Sequence, residues 1–285
     1  MTNPKQSIEP IEDKRLSRTS HIGVFDSGFG GLTVLRSLLH RLPAINFTYL
    51  GDTARLPYGA KSQATVARYA VSSARFLVEQ GAEYLVIACN TASALALNAI
   101  REAVPVPVLG VIETGANAAQ KATSSKDVLV IATAATVESH AYETACRERG
   151  LRTHEKACPL LVPLVEEGWI DHPVTDEVLR IYLGELLEES SAANLKPDTL
   201  VLGCTHYPLL RTKIEQAVPA GLHVIDSADV TADQVAEALN MPVAQNAPQG
   251  EQRFYATDSV AKFCRLGSRF LGQQMDAVQL IDLGG

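Results

Sequence analysis

Two cysteines in matching contexts carry the most chemistry in this chain. Residues 85–93 read LVIACNTAS and residues 200–208 read LVLGCTHYP. In each, an apolar run of buried-strand type ends at a thiol, Cys89 or Cys204. Small polar groups follow at once, Asn90 and Thr91 after the first and Thr205 and His206 after the second. A lone strand-end cysteine is more often a small core hydrophobe than a reactive group. The pairing shifts that weight, because two thiols at equivalent places in two half-structures, each followed by donors, can flank one small molecule. Two opposed thiols with no metal and no second catalytic carboxylate motif suit racemisation at a carbon acid. One base takes the α-proton from one face while an acid delivers a proton to the other, and a thiol of pKa near ~8.5 can do either close to neutrality. A disulfide between them would destroy that function.

Other residues cluster around the same chemistry. In GVFDSGFGG (residues 23–31), Gly28, Gly30 and Gly31 let the chain turn tightly into a helix whose first N–H groups can hold an anion such as a carboxylate. Thr33 stands where a dinucleotide fingerprint needs its third glycine, and no GxxxxGK[ST] run occurs. Asp26 is placed to orient or deprotonate a nearby thiol, or to cap the helix. The loop GDTARLPYGAK (residues 51–61) offers N–H groups and the Tyr58 hydroxyl to a polar substrate, or is a simple turn. His206, two residues after Cys204, is placed to tune that thiol's proton affinity.

These residues need elements to hold them. Short Val- and Ile-rich runs alternate with helical patterns: HIGVFD, INFTYLGD and AEYLVIAC in the first part, then DVLVIATAATVES and DTLVLGCTHYPLL in the second. That rhythm predicts βαβ units and parallel sheets covered on both faces. The second half reads as a loose copy of the first, so the fold expected is α/β: two similar parallel-sheet domains related by pseudo-two-fold duplication, with the site in the cleft between them. The expected division is a flexible N-terminal extension over 1–20, a first domain of 21–112 and 225–285, and a second of 113–224. On this reading LHVIDSA, a helix to about Leu239, a polar linker and RFYATD return to the first sheet.

Composition narrows the class. The net charge of −7, with no basic stripe, argues against a nucleic-acid partner. No apolar run reaches the ~18 residues that span a bilayer, and the first 20 residues lack the apolar core of a signal peptide, so a cytoplasmic protein without a membrane partner is expected. The cysteines at 89, 146, 158, 204 and 264 are odd in number with no CxxC pair. Neither a disulfide framework nor a zinc site fits, and Cys146, Cys158 and Cys264 read as core or surface residues. A redox role is disfavoured because no thiol has a resolving partner nearby in sequence.

The ordered motifs GVFDSGFGG, GDTARLPYGAK, VIACNTASA, ATAATVES and LGCTHYPLL resemble the glutamate racemases of the cofactor-independent aspartate/glutamate racemase family, from about His21 to the C-terminus. The resemblance implies interconversion of L- and D-glutamate, with D-glutamate going to peptidoglycan, and neither metal nor cofactor. By motif it makes Cys89 and Cys204 the proton-transfer pair with Asp26 and His206 as auxiliary groups. It assigns substrate contacts to Asp26, Ser27, Tyr58, Gly59, Asn90, Thr91, Thr205 and His206, with Thr133, Thr136 and Glu166 in support. Ala60 follows the PYG motif where relatives often carry a hydroxyl or a proline. In some Gram-negative members with an extension before the first strand, a peptidoglycan precursor is an activator. Residues 1–20 are a candidate for that role, whereas GVIETGA (110–116) looks more like unactivated relatives. A monomer or homodimer is expected. The competing readings are a racemase for aspartate or another amino acid, and a cytoplasmic sensor or regulator of DNA gyrase.

Overall fold

The computed structural model describes residues 21–240, 249–275 and 277–284. The extension expected over 1–20, and residues 241–248 of the expected linker, lie outside these. In chain order the first half contains β1 (His21–Asp26), α1 (Leu32–Arg41), β2 (Asn46–Gly51), α2 (Gln63–Glu79), β3 (Tyr84–Ile87), α3 (Asn90–Ala103), β4 (Val108–Gly110) and α4 (Val111–Ala122). The second contains β5 (Asp127–Ala132), α5 (Ala134–Glu138), α6 (Ala141–Glu148), β6 (Arg152–Ala157), α7 (Leu161–Glu166), α8 (Pro173–Ala192), β7 (Thr199–Gly203), α9 (Arg211–Ala217) and β8 (His223–Asp226). The chain then adds α10 (Ala228–Ala238), β9 (Gln252–Ala256), α11 (Val260–Leu271) and β10 (Gln279–Leu280).

The strands form two parallel sheets, ordered β10-β9-β2-β1-β3-β4 and β6-β5-β7-β8. Helices cover both faces, which is why β3 and residues 128–132 of β5 read as unbroken apolar runs, and both strands are buried along their whole length. The order β2-β1-β3-β4 repeats in the second sheet as β6-β5-β7-β8, so β1 corresponds to β5 and β3 to β7. This is the duplication expected from the sequence, and it places Cys89 and Cys204 just beyond equivalent strands.

One expectation is corrected. LHVIDSA does not return to the first sheet: β8 pairs in parallel with β7, Leu200 opposite Val224, and completes the second sheet as the counterpart of β4. The return is made by β9, which lies against β2.

The two halves share one core. A continuous cluster of buried side chains runs from Ile22, Val24 and Leu35 to Leu129, Ile131 and Leu200. Helix α1 contributes Leu32, Val34, Leu35 and Leu38, each fully buried leucine or valine stabilising by roughly 1.5–3 kcal/mol. The outer face of α1 meets α10 through Ser37 Oγ donating to Asp229 at 2.7 Å and Arg41 Nε donating to Asp233 at 2.8 Å. The α1–α10 contact is thus tied by packing and by hydrogen bonds, and the ends of β3 and β7 lead into the cleft.

Candidate active site

Cys89 sits where β3 gives way to α3. It occupies the N-cap of α3, its Sγ accepting from the Ala92 N–H at 3.4 Å, so the thiol faces the positive end of the helix. The thiol also lies 3.4 Å from Ser27 Oγ. Behind Ser27, Asp26 is 1% exposed; its Oδ2 accepts from the Gly28 N–H at 2.9 Å while Oδ1 has no partner among the described residues. Burial pushes the Cys89 thiol up to about 12, and the Asp26 carboxylate adds to the shift; the helix end and Ser27 only partly offset them. Burial also raises Asp26 itself, against the pull of His206 and the N–H groups of Gly31, Gly28 and Ser27. In the state described, Cys89 therefore carries its proton.

Cys204 follows β7, the counterpart of β3. Its Sγ lies 3.9 Å from His206 Nδ1, and His206 Nε2 lies 3.3 Å from Glu166 Oε1. Burial opposes a charged imidazole, yet the hydrogen bonds to Cys204 and Glu166, with the charge interactions that accompany them, outweigh it and raise His206 to about 10. One half of the site thus presents a cysteine beside a carboxylate, and the other a cysteine beside an imidazolium.

Both thiols line one cavity of about 380 Å³. Its walls include Ser27, Tyr58, Gly59, Asn90, Thr91, Thr133, Glu166, Thr205 and His206, along with the apolar side chains of Leu56, Pro57, Val162 and Pro163. Thr91 Oγ1 lies 2.9 Å from Thr133 Oγ1, which lies 2.9 Å from Thr136 Oγ1. This hydroxyl triangle joins the start of α3 to α5 across the cleft. The halves also approach closely at Gly30: a Cβ there would fall 2.2 Å from Thr205 Oγ1 and 2.7 Å from His206 Nδ1.

Not every expected contact faces the cavity. Asp26 and Thr136 stand behind it, buried beneath Ser27 and Thr133, and neither lines the wall. The Tyr58 hydroxyl, expected to hold substrate, donates to Asp52 Oδ2, although Tyr58 is part of the wall. Asp52 in turn accepts from Arg55 Nε and Thr257 Oγ1, each at 2.9 Å. Asp52 anchors the PYG turn and was missed as a functional residue, although it lies inside the motif GDTARLPYGAK. Lys262, which bonds Glu166 at 3.2 Å, was missed as well. Among the described residues, His140, Glu143 and Glu155 are grouped closely enough to hold a metal ion, and none of them lines the cavity. Nor does any described helix have the length and apolarity to cross a membrane.

A cleft between two like parallel sheets, with a cysteine from each in its wall, is the architecture of the two-base amino-acid racemases. A family model described as Asp/Glu/Hydantoin racemase matches residues 22–235, and the chain belongs to that family. The glutamate racemase of Koribacter versatilis (strain Ellin345) is 50% identical over 287 residues, covering 93% of this chain and 98% of its own. The crystal structure of glutamate racemase from Francisella tularensis subsp. tularensis SCHU S4 in complex with D-glutamate superposes with a TM-score of 0.83 at 33% identity, covering 94% of this chain and 99% of that one. The Escherichia coli glutamate racemase, in complex with L-glutamate and the activator UDP-MurNAc-Ala, gives a TM-score of 0.74 at 28% identity, covering 94% and 100%.

Proposed function

We infer that this chain is an isomerase that interconverts L- and D-glutamate by two-thiol proton transfer and supplies D-glutamate for peptidoglycan biosynthesis. The observation that carries the mechanism is that Cys89 and Cys204, at the ends of equivalent strands, line the same polar cavity. Eight relatives at 42–50% identity, each a glutamate racemase, support the substrate.

In one direction Cys204 takes the α-proton and Cys89 delivers its own to the opposite face; in the other the roles exchange. The electron pair of the broken C–H bond passes to the α-carbon and its carboxylate, and returns to form the new C–H bond. His206 holds positive charge beside Cys204 when that sulfur is anionic, and Ser27 and the α3 N-terminus do so for Cys89. Asn90, Thr91 and Thr205 hold the substrate's carboxylates, and Glu166 acts through His206. The enzyme works in the cytoplasm, where a reducing environment keeps both thiols free. A peptidoglycan precursor is the candidate effector, on the strength of the activator bound by the E. coli relative.

The test is the decay of circular dichroism of L-glutamate and of L-aspartate on the purified chain, with and without UDP-MurNAc-Ala. Decay to zero for glutamate is expected, with aspartate slower. No decay for either overturns the assignment, faster decay for aspartate replaces the substrate, and a rate indifferent to UDP-MurNAc-Ala removes the effector.

A further inference from the structure

One cation beside the cavity has no part in the scheme above. Lys262 lies on α11, which follows β9 of the first sheet, and its Nζ donates to Glu166 Oε2 at 3.2 Å. Glu166 ends α7, which belongs to the second sheet's half, and stands 96 residues away in sequence. The other oxygen of that carboxylate, Oε1, meets His206 Nε2 at 3.3 Å, and His206 Nδ1 faces Cys204 Sγ at 3.9 Å. A four-member chain therefore runs from a helix of one half, through the cavity wall of the other, to the second thiol.

The surroundings of this chain restrict what Lys262 does. Glu166 is largely covered, its side chain 14% exposed, and it lines a cavity that must receive an anionic substrate. Glu167 adds a second carboxylate to the same wall. A carboxylate held at only one oxygen is free to rotate away from the imidazole. Lys262 occupies the second oxygen and balances its charge. Burial alone would raise the Glu166 carboxyl, yet His206 and Lys262 together hold it below the usual range. Elsewhere α11 closes on the same region: the Phe270 ring stands edge-on to His206 with centroids 5.2 Å apart, and a Cβ at Gly168 would fall 2.6 Å from Arg269 Nη1. Lys262 Nζ also lies 5.5 Å from the centre of the Phe29 ring, which limits its own freedom.

We propose that Lys262 is a positioning residue for racemisation: by anchoring Glu166 across the cleft it fixes His206 against Cys204, an inference that rests on the two-thiol reading above. Lys262 does not line the cavity, and Glu166 and His206 stand between it and the Cys204 sulfur. Its effect passes through Glu166, so the orientation of His206 depends on the contact between α11 of one half and α7 of the other.

The test compares kcat, KM and melting temperature for the full-length wild type, Lys262→Met, Lys262→Arg, Glu166→Gln and the double variant Lys262→Met/Glu166→Gln. Lys262→Met is expected to lower kcat about tenfold, within the coupling range of contacting residues, at little cost in melting temperature because the side chain is 39% exposed. KM should move less than about twofold, since no ground-state substrate contact is lost. Lys262→Arg should restore most of kcat, and Lys262→Met should add little once Glu166 is already Gln. The proposal is overturned by a wild-type kcat in Lys262→Met, by equal losses in the Met and Arg variants, by full additivity with Glu166→Gln, or by losses that track the melting temperature. A wild type that fails to racemise glutamate overturns the two-thiol reading instead, so the two failures are distinct.

Discussion

The Tyr142 hydroxyl donates to Asn90 Oδ1 at 2.7 Å and thereby fixes which end of the Asn90 amide faces the cavity. The amide's Nδ2 is buried and has no partner among the described residues. A buried donor left unpaired costs ~1–3 kcal/mol, so its persistence beside two thiols marks a place kept for an acceptor. A substrate carboxylate, which must take up charge as the α-proton leaves, is such an acceptor.

Asn90→Asp tests this by keeping an oxygen for Tyr142 while removing the donor. Its kcat should fall about 10²- to 10³-fold, the usual loss for one preorganised donor to a developing anion. The Tyr142→Phe variant should show a smaller loss, because the amide stays but is no longer oriented. A wild-type kcat in Asn90→Asp would mean that Nδ2 does not serve the reaction.

Gly30→Ala is expected to damage activity more than stability. The new Cβ overlaps Thr205 Oγ1 and His206 Nδ1, and neither group is the far end of a long flexible chain. Displacing His206 by about 1 Å should cost on the order of 10²-fold in rate. Gly184→Ala is the control: a Cβ there meets nothing within 4 Å inside α8, so activity should hold and stability should rise by about 0.5–1 kcal/mol. Equal kinetics for the two variants would show that the close approach at Gly30 is unimportant.

His206 gives stability a definite pH dependence. Its native pKa of about 10 exceeds the ordinary 6.5, so the native state holds the proton more tightly than the unfolded chain. The stabilisation it provides is therefore complete below pH 6.5 and is lost progressively as pH rises toward about 10. Urea unfolding of wild type and His206→Gln across that range should show their difference shrinking with rising pH. A constant difference would argue that His206 is neutral in the native state.

The parallel sheets were legible because strands buried on both faces leave continuous apolar runs, as in Tyr84–Ile87 and residues 128–132. Strand β8 was assigned to the wrong sheet because four residues, HVID, carry no mark of which edge they extend. Only the repeated strand order identifies it as the counterpart of β4. The thiols, Asn90 and Thr205 were legible since each follows its strand directly. The direction of the Tyr58 hydroxyl was not, because it depends on how the turn folds back onto Asp52. The difference between Thr133 and Thr136 also lay beyond sequence: Thr133, at the N-cap of α5, lines the cavity, whereas Thr136, three residues further on, is fully buried behind it. Lys262 had no local signal at all, since its partner is 96 residues away.

The contribution of one cavity-lining thiol from each half makes an isotopic demand. If Cys89 and Cys204 work from opposite faces, a proton taken by one sulfur is not the proton returned by the other. When L-glutamate reacts in deuterated water, each thiol exchanges with solvent between turnovers. The first D-glutamate formed should then carry deuterium while the remaining L-glutamate stays protiated, as read by mass spectrometry of the separated enantiomers. A single base serving both faces would return part of the original protium to the product. Cys89→Ala and Cys204→Ala should each abolish racemisation, with a loss at or beyond the ~10⁴-fold end of general acid–base effects, because no neighbouring group can replace the missing sulfur. Cys146→Ala should leave the rate nearly unchanged, since that thiol is buried outside the cavity. Substantial protium in the earliest D-glutamate, or full activity in either active-site variant, would remove the two-thiol mechanism.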